Sequence, residues 1–326
     1  MAKLAIVIPF LGDTQRLEET LVSVLENRPP DAEVLVVLCQ PYANPYQLED
    51  EVHFVPGPDQ PGWAGALNHG TAAAHAPWIH VLGCGASVEE GWVEPALTHF
   101  QDGTIAAVAP MVTEAPGDIS AGMYYDSRGA ITPCRPPMPC PNQNPPGPIA
   151  PHWAAAFYRK SAWEAAGRFA TDVGDRLVML DFALTLSALG LRTAVEPQCL
   201  VRLPASATSP GAFRRACDAE RFYWRWARLR GPRLLAAHAR LVAADCLAGL
   251  ADRSFFARLA GRLIGLAGFR ASAAHRLRLA ALHQGCVPPP APASTPRLAS
   301  LRPNGASGVS AAPKTAPLAR TIRSMR

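Results

Sequence analysis

The stretch Leu4-Ala5-Ile6-Val7-Ile8, ended by Pro9, decides the fold class. It is short, wholly apolar and rich in β-branched side chains, which is typical of a strand buried on both faces of a parallel sheet. Residues 14–27 then place apolar side chains at helical spacing, and residues 33–38 form a second apolar run. A strand, a helix and a strand in this order predict a right-handed unit with parallel strands. The sequence therefore indicates an α/β fold.

Two further apolar runs extend this sheet and predict where a ligand binds. Residues 52–55 and 78–82 have the composition of strands, and the second run ends abruptly at Gly83. Ligands of open α/β sheets bind at the carboxyl ends of the strands. The predicted rim of the site is therefore formed by residues 9–13, 39–42 and 83–87.

Helices and strands are expected to alternate over the rest of the first two thirds of the chain. The expected elements are helices at 63–74, 92–100 and 179–189, strands at 105–110, 154–158 and 193–195, and a short helix capped by Ser161. Residues 134–151 carry too many prolines for regular structure, so we expect a surface loop or flap there.

The charge of the chain is divided unevenly along its length. Residues 1–210 contain 11 lysines and arginines against 22 aspartates and glutamates, whereas residues 211–326 contain 20 against 4. The basic part suits an anionic membrane surface, a nucleic acid or the acidic part of the same chain. It is equally typical of the solvated face of arginine-rich helices. Because no nucleic-acid reading motif accompanies the charge, we expect no nucleic-acid partner.

Cysteine spacing and hydropathy indicate a cytoplasmic protein. The eight cysteines include no CxxC pair and no histidine at zinc spacing, which is typical of reduced thiols. No stretch reaches the ~18–20 uninterrupted apolar residues of a membrane span, and the first apolar run is too short for a signal peptide. We therefore expect a cytoplasmic or membrane-peripheral protein.

Composition divides the chain into three parts. Residues 1–210 form the predicted α/β domain, residues 211–286 a basic amphipathic helical region, and residues 287–326 a tail rich in proline, alanine, serine and arginine. In the basic region we expect helices at 211–229, 232–250 and 254–283. The tail offers too little apolar surface to offset the entropy of ordering, so we expect it to be disordered.

Five fragments, in this order along the chain, resemble the family-2 glycosyltransferases. They are residues 6–25, residues 62–70, residues 78–82 with Gly91-Trp92, residues 165–169, and Leu180-Asp181 with residues 188–190. The resemblance implies a GT-A fold, which is a nucleotide-binding mixed or parallel sheet with flanking helices, followed here by C-terminal helices and the tail. It also implies transfer of a sugar from a nucleotide-sugar donor to an acceptor, with inversion at the sugar.

The resemblance also implies where the donor binds. The turn after the first strand, the glycine-rich stretch and the end of the fourth strand all contribute. The predicted donor-binding residues are Pro9, Phe10, Asp13, Gly62, Asn68, Gly83 and Gly85. The glycine-rich stretch has a simpler explanation as well, since small residues permit tight packing of helices.

The family's metal motif, two acids separated by one residue, is degenerate in this sequence. The corresponding positions read Gly83-Cys84-Gly85, and the acid usual after the second strand is replaced within Leu38-Cys39-Gln40-Pro41. A divalent cation needs carboxylate oxygens to bridge it to a diphosphate. We therefore expect no metal cofactor and metal-independent donor binding, with basic side chains at the leaving group instead. The candidates are His69, His80 and Arg176.

The resemblance assigns the general base to an acid pair at the start of a late helix. This pair corresponds to Leu180-Asp181, so only Asp181 remains. An aspartate with apolar neighbours suits base catalysis, because such surroundings raise its pKa. An aspartate at a helix start is equally suited to N-capping, and the two roles are compatible.

Residues 221–228 interleave aromatic side chains and arginines on a predicted helix. This composition is typical of a helix that lies in a membrane interface. It is also typical of a helix whose aromatic side chains pack on the α/β domain while its arginines stay in water.

Three functions remain open from the sequence. The first is a glycosyltransferase that acts on an unknown glycan or lipid-linked acceptor. The second is a non-catalytic GT-A-fold protein that binds a nucleotide sugar, a glycan or a partner protein, which the missing acids favour. The third is a scaffold at an anionic membrane surface, built on residues 211–283.

Overall fold

The predicted strand, helix and strand form at the start of the chain. In the computed structural model, strand β1 spans Leu4–Phe10, helix α1 spans Thr14–Asn27, and strand β2 spans Ala32–Leu38. The two strands are parallel, with Ile6 opposite Val34. The α/β fold class is therefore confirmed.

The structure describes residues 2–58, 62–115, 118–136, 149–204, 211–227, 232–267, 275 and 279–282. The tail expected to be disordered, residues 287–326, lies outside these ranges. Most of the proline-rich segment 134–151 lies outside them as well.

Strands and helices continue along the chain after this first unit. The further strands are β3 (His53–Pro56), β4 (Trp78–Leu82), β5 (Ser87–Val88), β6 (Ile105–Ala115), β7 (Asp118–Ser120), β8 (Met123–Tyr125), β9 (Ile131–Pro133), β10 (Ile149–Ala150), β11 (Ala155–Arg159) and β12 (Arg192–Arg202). The further helices are α2 (Trp63–Ala73), α3 (Glu94–Thr98), α4 (Lys160–Ala165), α5 (Val178–Ala188), α6 (Ala212–Trp226), α7 (Pro232–Ala248) and α8 (Phe255–Ala267). Short 3-10 helices lie at His99–Gln101 and Asp175–Leu177.

The main sheet is mixed rather than wholly parallel. Within the described part of the chain it has nine strands, in the order β3-β2-β1-β4-β11-β6-β12-β5 with β7 paired to β6. Strands β1 to β4 are mutually parallel, and β12 runs parallel to β6. Strand β11 is antiparallel to both of its neighbours, β4 and β6. It therefore joins a parallel half to the rest of the sheet.

Side chains of β1 alternate between two apolar layers, one on each face of the sheet. Ile6 and Ile8 pack in one layer with Leu17 and Leu21 of α1. Val7 packs in the other layer with α2 and α5. Both faces of the strand are covered, as the wholly apolar run predicts.

Gly70 allows α2 to approach the sheet closely. A Cβ atom at this position would lie 2.5 Å from a methyl group of Val7 and 2.6 Å from a methyl group of Val37. Real Cβ atoms essentially never come so near other heavy atoms. The packing explanation for the glycine-rich stretch therefore holds at Gly70.

Two local features differ from the sequence-based expectations. Helix α4 begins at Lys160 and its N-cap is Arg159, so the prediction that Ser161 caps it is wrong. The chain passes from β11 straight into this helix. A second sheet, in the order β10-β8-β9, flanks the proline-rich segment. Strands of two or three residues are too short for their side-chain alternation to be recognised.

The aromatic side chains of residues 221–228 pack against the α/β domain. Phe222 and Tyr223 are buried, and the Phe222 ring lies edge-on to Tyr125 at 5.2 Å. An interfacial membrane helix would expose these rings, so that interpretation of this segment is wrong. The prediction that the arginines stay in water fails at Arg225, whose side chain is only 10% exposed. Among the helices that the structure describes, none is both long and apolar enough to cross a membrane.

Candidate active site

A cavity of about 280 Å³ opens where β1 and β4 end, and we call it the strand-end cavity. Its lining residues are Pro9, Leu11, Asp13, Arg16, Trp63, Cys84, Trp153, Asp175 and Arg176. Two of the three predicted rim segments, 9–13 and 83–87, meet here. Residues 39–42 contribute nothing to the lining.

Asp13 and Arg16 place opposite charges at the rim, where α1 begins. Asp13 is the N-cap of α1, and one of its carboxylate oxygens accepts a hydrogen bond from the Arg16 backbone N–H at 3.1 Å. The other oxygen lies 3.2 Å from Nε of Arg16. Exposed pairs of this kind contribute little to stability. The first turn of a helix favours anions, and the Asp13 carboxylate already occupies this position, so Arg16 is the group here that can attract a negatively charged ligand.

Backbone conformation and packing explain why glycine occupies both ends of the Gly83-Cys84-Gly85 turn. Gly85 has a φ of +89°, which glycine adopts readily and other residues rarely do. Its N–H donates to the Thr20 hydroxyl at 2.8 Å. A Cβ atom at Gly83 would lie 3.1 Å from the Cβ of Ala154. The turn is therefore shaped by packing, and its binding role stays a prediction.

The residues of this turn do not fit a divalent cation. The Cys84 thiol donates to the Pro9 carbonyl at 3.2 Å. Burial raises the pKa of this thiol to about 12, and the Asp13 carboxylate acts in the same direction, against Arg16. The sulfur therefore stays protonated at neutral pH, whereas a metal ligand must be a thiolate. The described ranges contain no group of three or more His, Cys, Asp or Glu residues arranged to hold a metal.

Two tryptophans and an arginine form the opposite wall of the cavity. Trp63 and Trp153 meet edge-to-face, with ring centroids 5.4 Å apart. The Arg176 guanidinium lies over the Trp153 ring, 5.7 Å from its centroid. Asp175 lies next to it in a 3-10 helix and is exposed. The wall thus combines the flat apolar rings of the two tryptophans with one positive side chain, Arg176, and one negative side chain, Asp175.

Three other predicted donor-binding residues lie outside the lining. Phe10 is buried and packs on Tyr42. Asn68 uses both ends of its amide on Phe169, donating to its carbonyl at 2.8 Å and accepting from its N–H at 2.9 Å. Gly62 has an extended φ of 179°, and a Cβ atom there would meet nothing within 4 Å. For all three, donor binding stays a prediction.

Of the three cationic candidates, Arg176 alone lines the strand-end cavity. His80 lies in the core between Trp92 and Phe157, with ring centroids 4.7 and 3.9 Å away. Burial lowers its pKa to about 3, so it is neutral and cannot stabilise a diphosphate as a cation. The candidate role for His80 is therefore wrong. His69 is exposed on α2, away from the lining residues.

Asp181 is committed to an ion pair with α6. Its carboxylate accepts from Arg225 Nε at 2.8 Å and Nη2 at 3.2 Å, and from Trp226 Nε1 at 2.8 Å. Burial alone would lower the pKa of Arg225, but the carboxylates of Asp181 and Asp172 outweigh it and raise that pKa. The N-cap of α5 is Leu177, so the capping interpretation is wrong. Asp181 is absent from the lining of the strand-end cavity, so the geometry gives its predicted base role no support.

A larger cavity of about 780 Å³ adjoins the first, and Asp175 and Arg176 line both. We call it the adjoining cavity. Its charged lining also includes Arg214, Arg215, Asp218, Asp245, Arg258 and Arg262. Burial raises the pKa of Asp218; Arg214 and Arg221 oppose this, and Asp175 adds to it. The boundary between the two cavities is formed by the exposed carboxylate of Asp175 and the neighbouring guanidinium of Arg176.

The sequence-based prediction missed three lining residues, which are Arg16, Trp153 and Asp175. Arg16 follows Asp13 by three residues, so helix geometry alone brings it to the same rim. Trp153 directly precedes a predicted strand. Asp175 lies in an irregular segment before α5 and has no local signal, because its position depends on how that segment folds back on the sheet.

The sheet order, the antiparallel β11 and the cavity at the strand ends define an α/β protein of the GT-A type. Residues 5–164 match the family model described as glycosyl transferase family 2. The chain thus carries a family-2 glycosyltransferase domain, as the resemblance of its sequence indicates. No curated protein matches the sequence.

Solved glycosyltransferase structures are similar over most of the chain. The mannosyltransferase PcManGT from Pyrobaculum calidifontis, in complex with GDP-Man and Mn²⁺, has 18% identity and a TM-score of 0.52, covering 86% of this chain and 85% of that chain. S. aureus TarS 1-349 has 11% identity and a TM-score of 0.51, covering 86% and 89%. GalNAc-T7 with UDP, GalNAc and Mn²⁺ has 14% identity and a TM-score of 0.50, covering 69% and 50%. At these identities the similarity establishes the fold.

Proposed function

We propose that the protein transfers a sugar from a nucleotide-sugar donor, bound in the strand-end cavity, to a hydroxyl group of a glycan or lipid-linked acceptor. One observation carries this proposal. The ends of β1 and β4, both in the family-2 domain, open into a cavity lined by Arg16, two tryptophans and Arg176, which follows the domain in the chain. Ligands of such sheets bind at this edge. Two similar structures contain GDP-Man or UDP with GalNAc, so these nucleotide sugars are the first donors to test.

The two arginines would stabilise the negative charge of the diphosphate, as a metal ion would otherwise do. Negative charge grows on this leaving group as its bond to the sugar breaks, and fixed cations lower the barrier by stabilising it. Arg16 forms an exposed ion pair with Asp13, which a phosphate group can displace at little cost. Donor binding is then independent of metal.

The transfer is a direct displacement that inverts the sugar. The acceptor oxygen attacks the anomeric carbon, the bond from that carbon to the diphosphate breaks on the opposite face, and the hydroxyl proton passes to a carboxylate. Asp175 is our candidate for this base in place of Asp181. It is exposed and lines both cavities, so an acceptor in the adjoining cavity and a donor in the strand-end cavity would meet beside it.

A calorimetric titration tests the donor site. GDP-mannose and UDP-GalNAc are titrated first with EDTA present and then with Mn²⁺. We expect one of them to bind in EDTA, and Mn²⁺ to change its affinity by less than tenfold, about 1.4 kcal/mol. A larger gain would contradict the metal-free site, and no binding of any nucleotide sugar would contradict the donor assignment.

Matched arginine variants locate the site. Arg176→Gln should weaken donor binding, because it removes a cation from the cavity lining. Arg168→Gln is the control, since Arg168 stacks on Trp163 instead and is absent from that lining. Equal affinities in the two variants would place the donor elsewhere.

A non-catalytic nucleotide-sugar or glycan-binding protein is the second candidate. The neutral Cys84 thiol at the metal position and the engagement of Asp181 with Arg225 favour it. The two candidates differ in turnover. Donor binding without hydrolysis or transfer, across a panel of glycan and lipid-linked acceptors, would favour the binding protein.

A further inference from the structure

Helix α8 exposes its large apolar side chains and buries its charges. Phe256 is 80% exposed, Leu263 60% and Ile264 48%. Phe256, Leu259, Leu263 and Ala267 are spaced by three or four residues, so they form one outward stripe. The two charged residues of α8, Arg258 and Arg262, have side chains only 16% and 10% exposed. A helix on a water-facing surface has the opposite arrangement.

The inward arginines form ion pairs with acids of the neighbouring helices. Arg262 donates to Glu220 of α6 at 3.2 Å and to Asp245 of α7 at 2.8 Å. Arg258 donates to Asp245 at 2.9 Å. Releasing either arginine to water would leave a buried or half-buried carboxylate without its ion-pair partner, which costs free energy of folding. The ion pairs therefore fix which face of α8 is turned outward.

Two glycines press the same inner face against α6. A Cβ atom at Gly265 would lie 2.6 Å from Cβ of Glu220 and 2.7 Å from the Cys217 carbonyl oxygen. A Cβ atom at Gly261 would meet the Phe213 carbonyl oxygen even more closely. Rotating α8 to bury its leucines would bring bulky side chains into this contact, so the orientation is set by shape as well as by charge.

The preceding helix and turn also expose apolar and cationic side chains. Leu247 is 59% and Leu250 62% exposed. Arg233, Arg240 and Leu247 are seven residues apart, which places them on one stripe of α7. Arg233, Arg240 and Arg253 are all exposed. Basic and apolar side chains are therefore mixed on this surface.

The charge of the remaining chain is of one sign. After Asp252, all twelve charged side chains up to Arg326 are lysine or arginine. An exposed apolar surface on helices that also expose Arg233, Arg240 and Arg253 is complementary to an anionic bilayer, where acyl chains accept the leucines and phosphate groups attract the cations.

We propose that the outward face of α7 and α8, formed by Phe256, Leu263, Leu247 and Leu250 with Arg240 and Arg253, docks on the surface of an anionic phospholipid bilayer. The apolar side chains enter the headgroup region, and the helices lie flat on it without crossing it. This docking surface lies on the C-terminal helices, outside the family-2 domain. The proposal stands whether or not the protein transfers sugars.

Co-sedimentation of the full chain with vesicles tests the proposal. The parent protein should bind vesicles of phosphatidylcholine mixed with phosphatidylglycerol, and bind them less at high salt. It should bind phosphatidylcholine alone far more weakly. Phe256→Ser with Leu263→Ser should reduce partitioning by about tenfold or more, because each large apolar side chain contributes about that factor when buried.

Phe213→Ser is the control, because Phe213 is an exposed aromatic residue on α6, outside the face. It should leave partitioning unchanged, and the double variant should keep the parent's unfolding temperature, since Phe256 and Leu263 are mostly exposed. Equal binding to neutral and anionic vesicles, or an equal loss in the control, would overturn the proposal. A parent dimer in light scattering that the double variant turns into a monomer would assign the face to a second copy instead. A monomeric parent that binds no vesicles would overturn membrane docking outright.

Discussion

Two aspartates six residues apart, Asp175 and Asp181, have opposite surroundings. Asp181 is buried and accepts hydrogen bonds from Arg225 and Trp226. Asp175 is exposed at the boundary of the two cavities. A general base must reach the proton that it removes, so position favours Asp175 for catalysis and Asp181 for structure.

Asp175→Asn is expected to slow sugar transfer by about 10²–10⁴-fold while donor affinity stays within about twofold. The amide has the size of the carboxylate but cannot accept the acceptor's proton. Turnover and donor binding are measured on the same preparation. Transfer at the parent's rate would remove Asp175 from the mechanism.

Asp181→Asn is the matched variant, and it should act on stability instead. It removes the buried one of the two carboxylates paired with Arg225 and leaves the exposed Asp172, so the loss should be smaller than the roughly 3–5 kcal/mol of a fully broken buried pair. Chemical denaturation should show this loss, while turnover per folded molecule stays near that of the parent. A stable Asn variant without turnover would restore Asp181 as the base.

His80 should make the protein less stable in acid. Its pKa of about 3 in the folded state lies below the ordinary value of about 6.5, so the unfolded chain binds the proton first. Its effect is absent above pH 6.5, and stability falls by about 1.4 kcal/mol per pH unit between about 6.5 and 3. His80→Leu, measured by denaturation at pH 7 and 5, should lose about 2 kcal/mol less than the parent over this interval. Parallel pH profiles would show that His80 is not the cause.

At the scale of elements, the glycine that precedes α2 and a glycine within α2 have different surroundings. Gly70→Ala should destabilise the protein by about 1–3 kcal/mol, because the added methyl group collides with Val7 and Val37. Gly62→Ala is the control, since a Cβ atom there meets nothing within 4 Å. Thermal unfolding should leave the Gly62 variant unchanged. If the chain at Gly62 also passes close to the nucleotide, this variant loses donor affinity at constant stability, which calorimetry detects.

Helix α8 shows why helical periodicity predicts a stripe but not its direction. The spacing of Phe256, Leu259 and Leu263 marks an amphipathic helix in the sequence. Which stripe faces inward depends on Glu220 and Asp245, which lie on other helices. The expectation that arginines of the basic region stay in water therefore fails where buried acids receive them.

For the whole molecule, the sequence predicts those parts of the fold that depend on residues close together in the chain. The apolar run 4–8 and the helix that follows predict the strand and helix that begin the sheet. The partners of Asp181 and Asn68 lie 44 and 101 residues away, and no spacing rule reaches so far. The antiparallel direction of β11 could not be predicted from the sequence either, because an apolar strand has the same composition in either direction. Pro9, Asp13 and Arg176 line the strand-end cavity, and their roles in binding stay predictions, whereas Asp175 was missed because its position depends on tertiary packing.

The position of β11 also determines when the main sheet can be completed during synthesis on the ribosome. This strand lies between β4 and β6, yet both emerge before it. At about 5–20 residues per second, the free edge of β4 waits several seconds for its partner, and open edges invite wrong pairing. We expect stalled nascent chains that expose residues 1–136 to be digested rapidly by protease, and those that expose residues 1–204 to resist. Equal protection of both would show that the first four strands fold without waiting for β11.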